Sequence, residues 1–299
     1  MPQSENFSFL VLILVAYLLV RKGFDAKVFD SIPKLLFNLC MPALILTSFS
    51  GMDSEIGRQD ALFITVFTVA YTLIVYPAAR FALRRHQNAG RREGIAFNMV
   101  LGNVTFVGLP FISYFFGIWG VRLAILFSTV QDLFIWSLCY WVFAGGKRSV
   151  RQTLKVIFNP CFIAIIVSIA LTVFRLEIPG IARPPIDMLA SMTVPLALLC
   201  IGSLLAQNTG ALKNIDRDVV VSVAVKTFAL PTVVFAILMA MGINMELVVL
   251  ATFITALPAG LLSVIFAKEF DKDVAFANVA FVLSTLTFIL MCVALFFFI

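Results

Sequence analysis

Apolar residues along this chain neither alternate with polar ones nor recur at helical spacing; they run on without interruption for about 14 to 25 residues at a time. Ten such runs can be drawn, at residues 7–20, 32–49, 61–83, 95–116, 121–143, 156–174, 186–206, 218–241, 247–266 and 274–298, with short connections between them. About 20 apolar residues at about 1.5 Å rise each cross the hydrocarbon of a bilayer, so the pattern predicts ten transmembrane α-helices, numbered here as spans 1 to 10. A transmembrane barrel would alternate apolar and polar positions along each strand and is excluded.

Two of these runs contain residues that a lipid-facing helix does not tolerate. Span 4 carries LGNVTFVGLP (101–110), with two glycines, a proline, an asparagine and a threonine, and span 9 carries TALPAGLLS (255–263). These residue types interrupt a helix and leave backbone polar groups in need of partners. Irregular backbone at membrane depth survives only when buried in protein or lining a wet cavity, so both stretches are expected to point inward, at a site.

The breaks belong to a longer correspondence. Pro42, Pro77 and Gly102 are matched by Pro195, Pro231 and Pro258, each about 155 residues further on. Five spans per half is an odd number, which turns the second half upside down. The chain therefore reads as two inverted five-helix repeats, 1–149 and 150–299, whose broken helices 4 and 9 meet near the midplane.

Charge fixes the orientation. Of 22 Lys and Arg, all but Arg58, Arg122, Arg175 and Arg183 fall on one side of this arrangement. By the positive-inside rule that side is cytoplasmic and both termini lie outside. The basic loop 84–93 reads as a topology determinant in contact with lipid headgroups, and Lys226 as a residue near the cytoplasmic end of span 8 whose stem snorkels. A net charge of +6 spread over such loops does not indicate nucleic acid. The N-terminus MPQSENF has no basic n-region, and the first apolar run ends at Arg21 and Lys22, so it is expected to be a span rather than a cleaved signal.

With 62% hydrophobic and 13% charged residues, composition agrees with a polytopic membrane protein. All five cysteines, Cys40, Cys139, Cys161, Cys200 and Cys292, lie within apolar runs and have no metal-ligand spacing, and His86 sits alone in a basic loop. Neither a disulfide framework, a metal site nor a cofactor is expected.

Asp132 is the most conspicuous side chain. It lies near the centre of span 5, roughly 16 Å from either end, where a charged carboxylate costs about 2.5–3.5 kcal/mol on insertion scales. Two roles are open to it: a site for a coupling proton or cation, or a structural carboxyl bonded to a neighbour such as Gln131. At the breaks, half-helix N-termini suit a carboxylate. Asn103 and Thr105 add side-chain donors, and Gly102, Pro258 and Gly260 shape the backbone. These five are the expected substrate-binding residues, with satisfaction of the unwound backbone as the alternative role of Asn103. Asn38 and Asn278 read as structural.

The segments LGNVTFVGLPFI (101–112), VPLALLCIGSLLA (194–206) and ITALPAGLLSVIFAKEFDKD (254–273) resemble the auxin efflux carrier family, which includes plant PIN-type auxin exporters and bacterial carriers of malonate and related small acids. The resemblance extends over essentially the whole chain. It implies a fold like that of sodium/proton antiporters and bile-acid symporters, with spans 4 and 9 unwound and crossing. It further implies a scaffold of spans 1, 2, 6 and 7 and an elevator-like transport domain of spans 3–5 and 8–10. Asn103 falls on the asparagine that contacts the substrate carboxylate in plant members, and Pro258 on the crossing proline of span 9. Gly102 stands where plant exporters have proline, Ala259 where they have glutamine and Ser263 where they have a second proline, and 144–155 is far shorter than their cytoplasmic loop. These departures favour a prokaryotic-type carrier.

The expected function is secondary active transport of a small organic anion, with a proton or sodium as coupling ion, in the plasma (inner) membrane; a homodimer is the expected assembly. The alternative is a uniporter or channel-like anion facilitator without ion coupling. A continuous pore suits paired inverted breaks less well than alternating access does. An intramembrane enzyme would need a Ser/His pair, two embedded aspartates or a zinc-binding HExxH helix, and the sequence has none of these in its spans.

Overall fold

The computed structural model describes residues 8–49, 57–134, 159–174, 176–270 and 272–298, and every regular element among them is helical. In chain order these are α1 (Ser8–Arg21), α2 (Lys27–Phe49), α3 (Arg58–Ala82), α4 (Ala89–Val100), α5 (Val104–Phe134), α6 (Pro160–Val173), α7 (Arg183–Asn214), α8 (Arg217–Ala240), α9 (Met245–Ala256), α10 (Leu261–Glu269) and α11 (Val274–Phe298). Six of them, α2, α3, α5, α7, α8 and α11, are long and apolar enough to cross a membrane. The protein is thus an all-helical, polytopic integral membrane protein. The end of span 5 with Cys139, and the connection at 144–155, lie outside the described residues.

Proline sets the irregularities of these helices. The three π-helical turns among the described residues, Leu36–Cys40, Val104–Gly108 and Val225–Ala229, each end two residues before a proline, namely Pro42, Pro110 and Pro231. A proline ring collides with the carbonyl four residues back and supplies no N–H, and a widened turn just before it relieves both defects. Gly117 departs further, at φ 60° and ψ −157°, and divides α5 into two helical parts.

The chain forms two compact units. One comprises the described residues of Val69–Gly108 and 205–298, the other those of 8–68 and Leu109–Leu204. In the second unit α6 and the start of α7 pack on α2. Later in α7, Gly202 lies against α1 so closely that a Cβ on it would come within 2.1 Å of the Ile13 carbonyl oxygen. Phe9 stacks on Phe111 and meets Tyr114 edge-on, with centroids 6.3 and 5.4 Å apart. Arg122 corrects an expectation: counted as a loop cation, it is buried, and its Nε donates to the carbonyl of Ser48 at the end of α2. There a cation complements the negative end of the helix.

The first unit is built on Ile95 and Met99 of α4, Val219 and Val223 of α8, and Phe276, Val279 and Ala280 of α11, with Val75 and Ala79 of α3 against them. One end of it is tied by caps. Asn88, Asp216 and Asp273 each accept a backbone N–H at the start of α4, α8 and α11, from Arg91, Val219 and Phe276 respectively. The Arg91 guanidinium then joins two of these caps, bonding Asp273 at 2.8 Å and Asp216 at 2.5 Å. The Val219 amide, and after it Arg91, hold the Asp216 carboxyl below the usual aspartate range despite partial desolvation.

Candidate functional site

Helix α4 ends because Leu101 turns extended (ψ 113°) and Gly102 follows it. In an uninterrupted helix the N–H of Asn103 would bond the carbonyl of Met99, four residues back. Here it bonds the carbonyl of Pro258 instead, at 2.8 Å, and Gly102 pairs with Ala259 in an isolated antiparallel bridge. The second interruption has the same anatomy. Helix α9 ends at Ala256, Leu257 is extended (ψ 143°), Ala259 donates its N–H to Ser284 Oγ at 3.0 Å, and α10 begins after Gly260. The two non-helical stretches, 101–103 and 257–260, therefore supply part of each other's hydrogen bonding.

Asn103 starts the next helix. Its carbonyl accepts from Val107 and Gly108, and its Oδ1 accepts from the Phe106 N–H at 3.3 Å, the geometry of an N-cap. Half of the amide is thereby used on backbone. The other half, Nδ2, is buried and has no hydrogen-bond partner. An unmade hydrogen bond at a buried donor costs free energy, which an incoming acceptor would recover. Thr105, the second residue of α5, and Gly102 are partly exposed, whereas Pro258 and Gly260 are buried. Leu257 is lodged between Gly102 and Gly108: a Cβ on Gly102 would lie 3.2 Å from Leu257 Cβ, and one on Gly108 would lie 2.7 Å from its Cδ1.

The five expected substrate residues thus come together in the first unit, at the starts of α5 and α10, where N-terminal N–H groups favour negative charge. Asp132 is not among them. It lies on α5 within the second unit and is partly exposed, beside a buried Gln131. Asn38 bonds the Lys34 carbonyl at 2.7 Å.

Sequence reasoning missed Lys226. It does not snorkel: with 2% of its surface exposed it is buried in the π-helical turn of α8, where Nζ reaches the Met99 carbonyl at 3.1 Å and the Tyr71 hydroxyl at 3.4 Å. Tyr71 donates to the same carbonyl at 2.7 Å. This is the carbonyl that the interruption of α4 releases. The signal that marks Lys226 in the sequence is its depth, eight residues inside span 8, or about 12 Å at the helical rise, together with Pro231 just beyond it.

A family model described as "Membrane transport protein" matches residues 6–297. A protein of Methanothermobacter thermautotrophicus described as an uncharacterized transporter is 27% identical over 286 residues, covering 93% of this chain and 92% of the relative.

Proposed function

The chain belongs to the auxin efflux carrier family of membrane transport proteins, and on that premise we propose that it is a secondary active transporter of a small organic anion, a carboxylate. One observation carries the choice of ligand: Asn103 Nδ2 is buried and unpartnered where two helices begin. A carboxylate there would accept from Nδ2 and from backbone N–H groups at the starts of α5 and α10. Thr105 supplies a further donor, and Gly102, Pro258 and Gly260 let the backbone approach.

In this reading the chain has ten spans in two inverted repeats, 1–149 and 150–299, with spans 4 and 9 crossing at their breaks. Spans 3–5 and 8–10 carry the site past a scaffold of spans 1, 2, 6 and 7 in an elevator-type cycle. Asp132 holds the coupling proton or sodium. The protein works as a homodimer in the plasma membrane with both termini outside. Thermal unfolding of the purified protein with a panel of carboxylates tests the ligand class, since a ligand bound to the native state raises its apparent stability by about 2.7 kcal/mol at a hundred times its dissociation constant. If no carboxylate raises the unfolding temperature while neutral analogues do, the anion reading fails.

A further inference from the structure

No acid among the described residues is paired with Lys226. Among the described residues its Nζ bonds only the Met99 carbonyl and the Tyr71 hydroxyl, so one N–H of an ammonium group has no acceptor. A buried, unpaired charge is costly, and it is relieved either by an anion or by release of the proton. The described surroundings offer no internal anion. The turn Val225–Ala229 packs against α4, α9 and α11. On α4, Glu93 is engaged by Arg80 and Arg92 and by Tyr76, and Arg91 by Asp216 and Asp273. On α9 the acid is Glu246 in the first turn, and α11 carries only Asp273, at its cap, and Cys292 far along. From α3 come Tyr71, Tyr76 and Arg80, and of all these groups only Tyr71 touches Lys226.

The position of the amine is informative. Met99 O is the carbonyl that Asn103 would have used, so Lys226 is bonded to the same interruption that presents Asn103 Nδ2. Asn98, next to Met99 and 2% exposed, likewise leaves both polar atoms of its amide without a partner. We propose that Lys226 is the counter-charge of the transported carboxylate, and that the anion binds at the break together with one proton taken up by Lys226. This rests on the carboxylate reading above. The empty unit holds a neutral amine; on binding, a proton from the solvent of the open side joins Nζ, and ammonium and carboxylate form a pair without net charge. Neither form then carries an unmatched charge, and anion and proton travel together, independently of any ion held at Asp132.

Titration calorimetry of the purified full chain with lactate, malonate and succinate, each in buffers of different ionisation enthalpy, counts the protons taken up. Wild type is expected to take up about one proton per carboxylate bound. Lys226→Arg, which keeps the charge but cannot release it, is expected to bind within about tenfold of wild type and to take up none; Lys226→Met is expected to bind at least about tenfold more weakly and to take up none. Wild-type binding without proton uptake would overturn the proposal, whether or not either variant folds, as would uptake by Lys226→Arg equal to that of wild type. Failure of all three acids to bind wild type would instead overturn the carboxylate reading, and this inference with it.

Discussion

The backbone N–H of Asn103 and the carbonyl of Pro258, 155 residues apart, are joined at 2.8 Å. The bond diverts Asn103 from its own helix and leaves its side chain with two separable tasks, a cap at Oδ1 and a free donor at Nδ2. Asn103→Asp keeps the acceptor and removes the donor. Carboxylate affinity should fall by at least about tenfold, from the loss of roughly 1.5–3 kcal/mol, with the protein still folded. Asn103→Ala loses the cap as well and should unfold earlier, by about 1 kcal/mol. Unchanged affinity in Asn103→Asp, read by thermal shift, would leave the residue with its capping task alone.

Asp132→Asn preserves shape and removes the charge. If the residue holds the coupling ion, gradient-driven accumulation in proteoliposomes collapses while counterflow exchange survives. Retained coupling with a lower unfolding temperature would mark it as structural.

The cap at Asp216 predicts an acid limit. A carboxyl held below its unfolded value of about 3.9 contributes stability that is fully present above that pH and is lost as pH falls through the lower, folded value. Wild type should therefore lose stability below about pH 4, and Asp216→Asn, which can still cap α8, should show a shallower slope. Arg91→Gln should cost about 1–2 kcal/mol at neutral pH, because its partners are partly exposed and screened.

Gly202→Ala places a methyl group where the Ile13 carbonyl already is, and should cost about 1–3 kcal/mol or more by forcing α1 and α7 apart. Gly180→Ala, with nothing within 4 Å of the new methyl, is the matched control and should unfold at the wild-type temperature.

Reporter fusions at residues 2 and 299 should place both termini on the outer face. A cytoplasmic signal from either would overturn the inverted-repeat reading.

Local chemistry was legible in the sequence, and distant pairing was not. The apolar runs announce membrane helices because length and composition alone decide that property. Gly102, Asn103 and Pro258 announce irregular backbone because their effect on φ, ψ and N–H supply is intrinsic to each residue. Lys226 and Arg122 were misread for one reason: charge counting assigns a cation near the end of a run to water, whereas the packing of other helices over it decides its burial. The Arg91 clamp was invisible for another, since its partners Asp216 and Asp273 lie 125 and 182 residues away.

Leu257 and the two glycines that make room for it form a single specification written at three positions, and this shapes how the chain can change. A side chain added at Gly108 meets Leu257 first, and one added at Gly102 meets its Cβ. Alanine at 257 would remove the Cδ1 that position 108 meets and leave the Cβ that position 102 meets, so a substitution at 108 that is harmful singly becomes permissible once 257 has changed, and one at 102 does not. Libraries that vary one half of the chain at a time should find 108 intolerant. Those that vary 257 first should find it free.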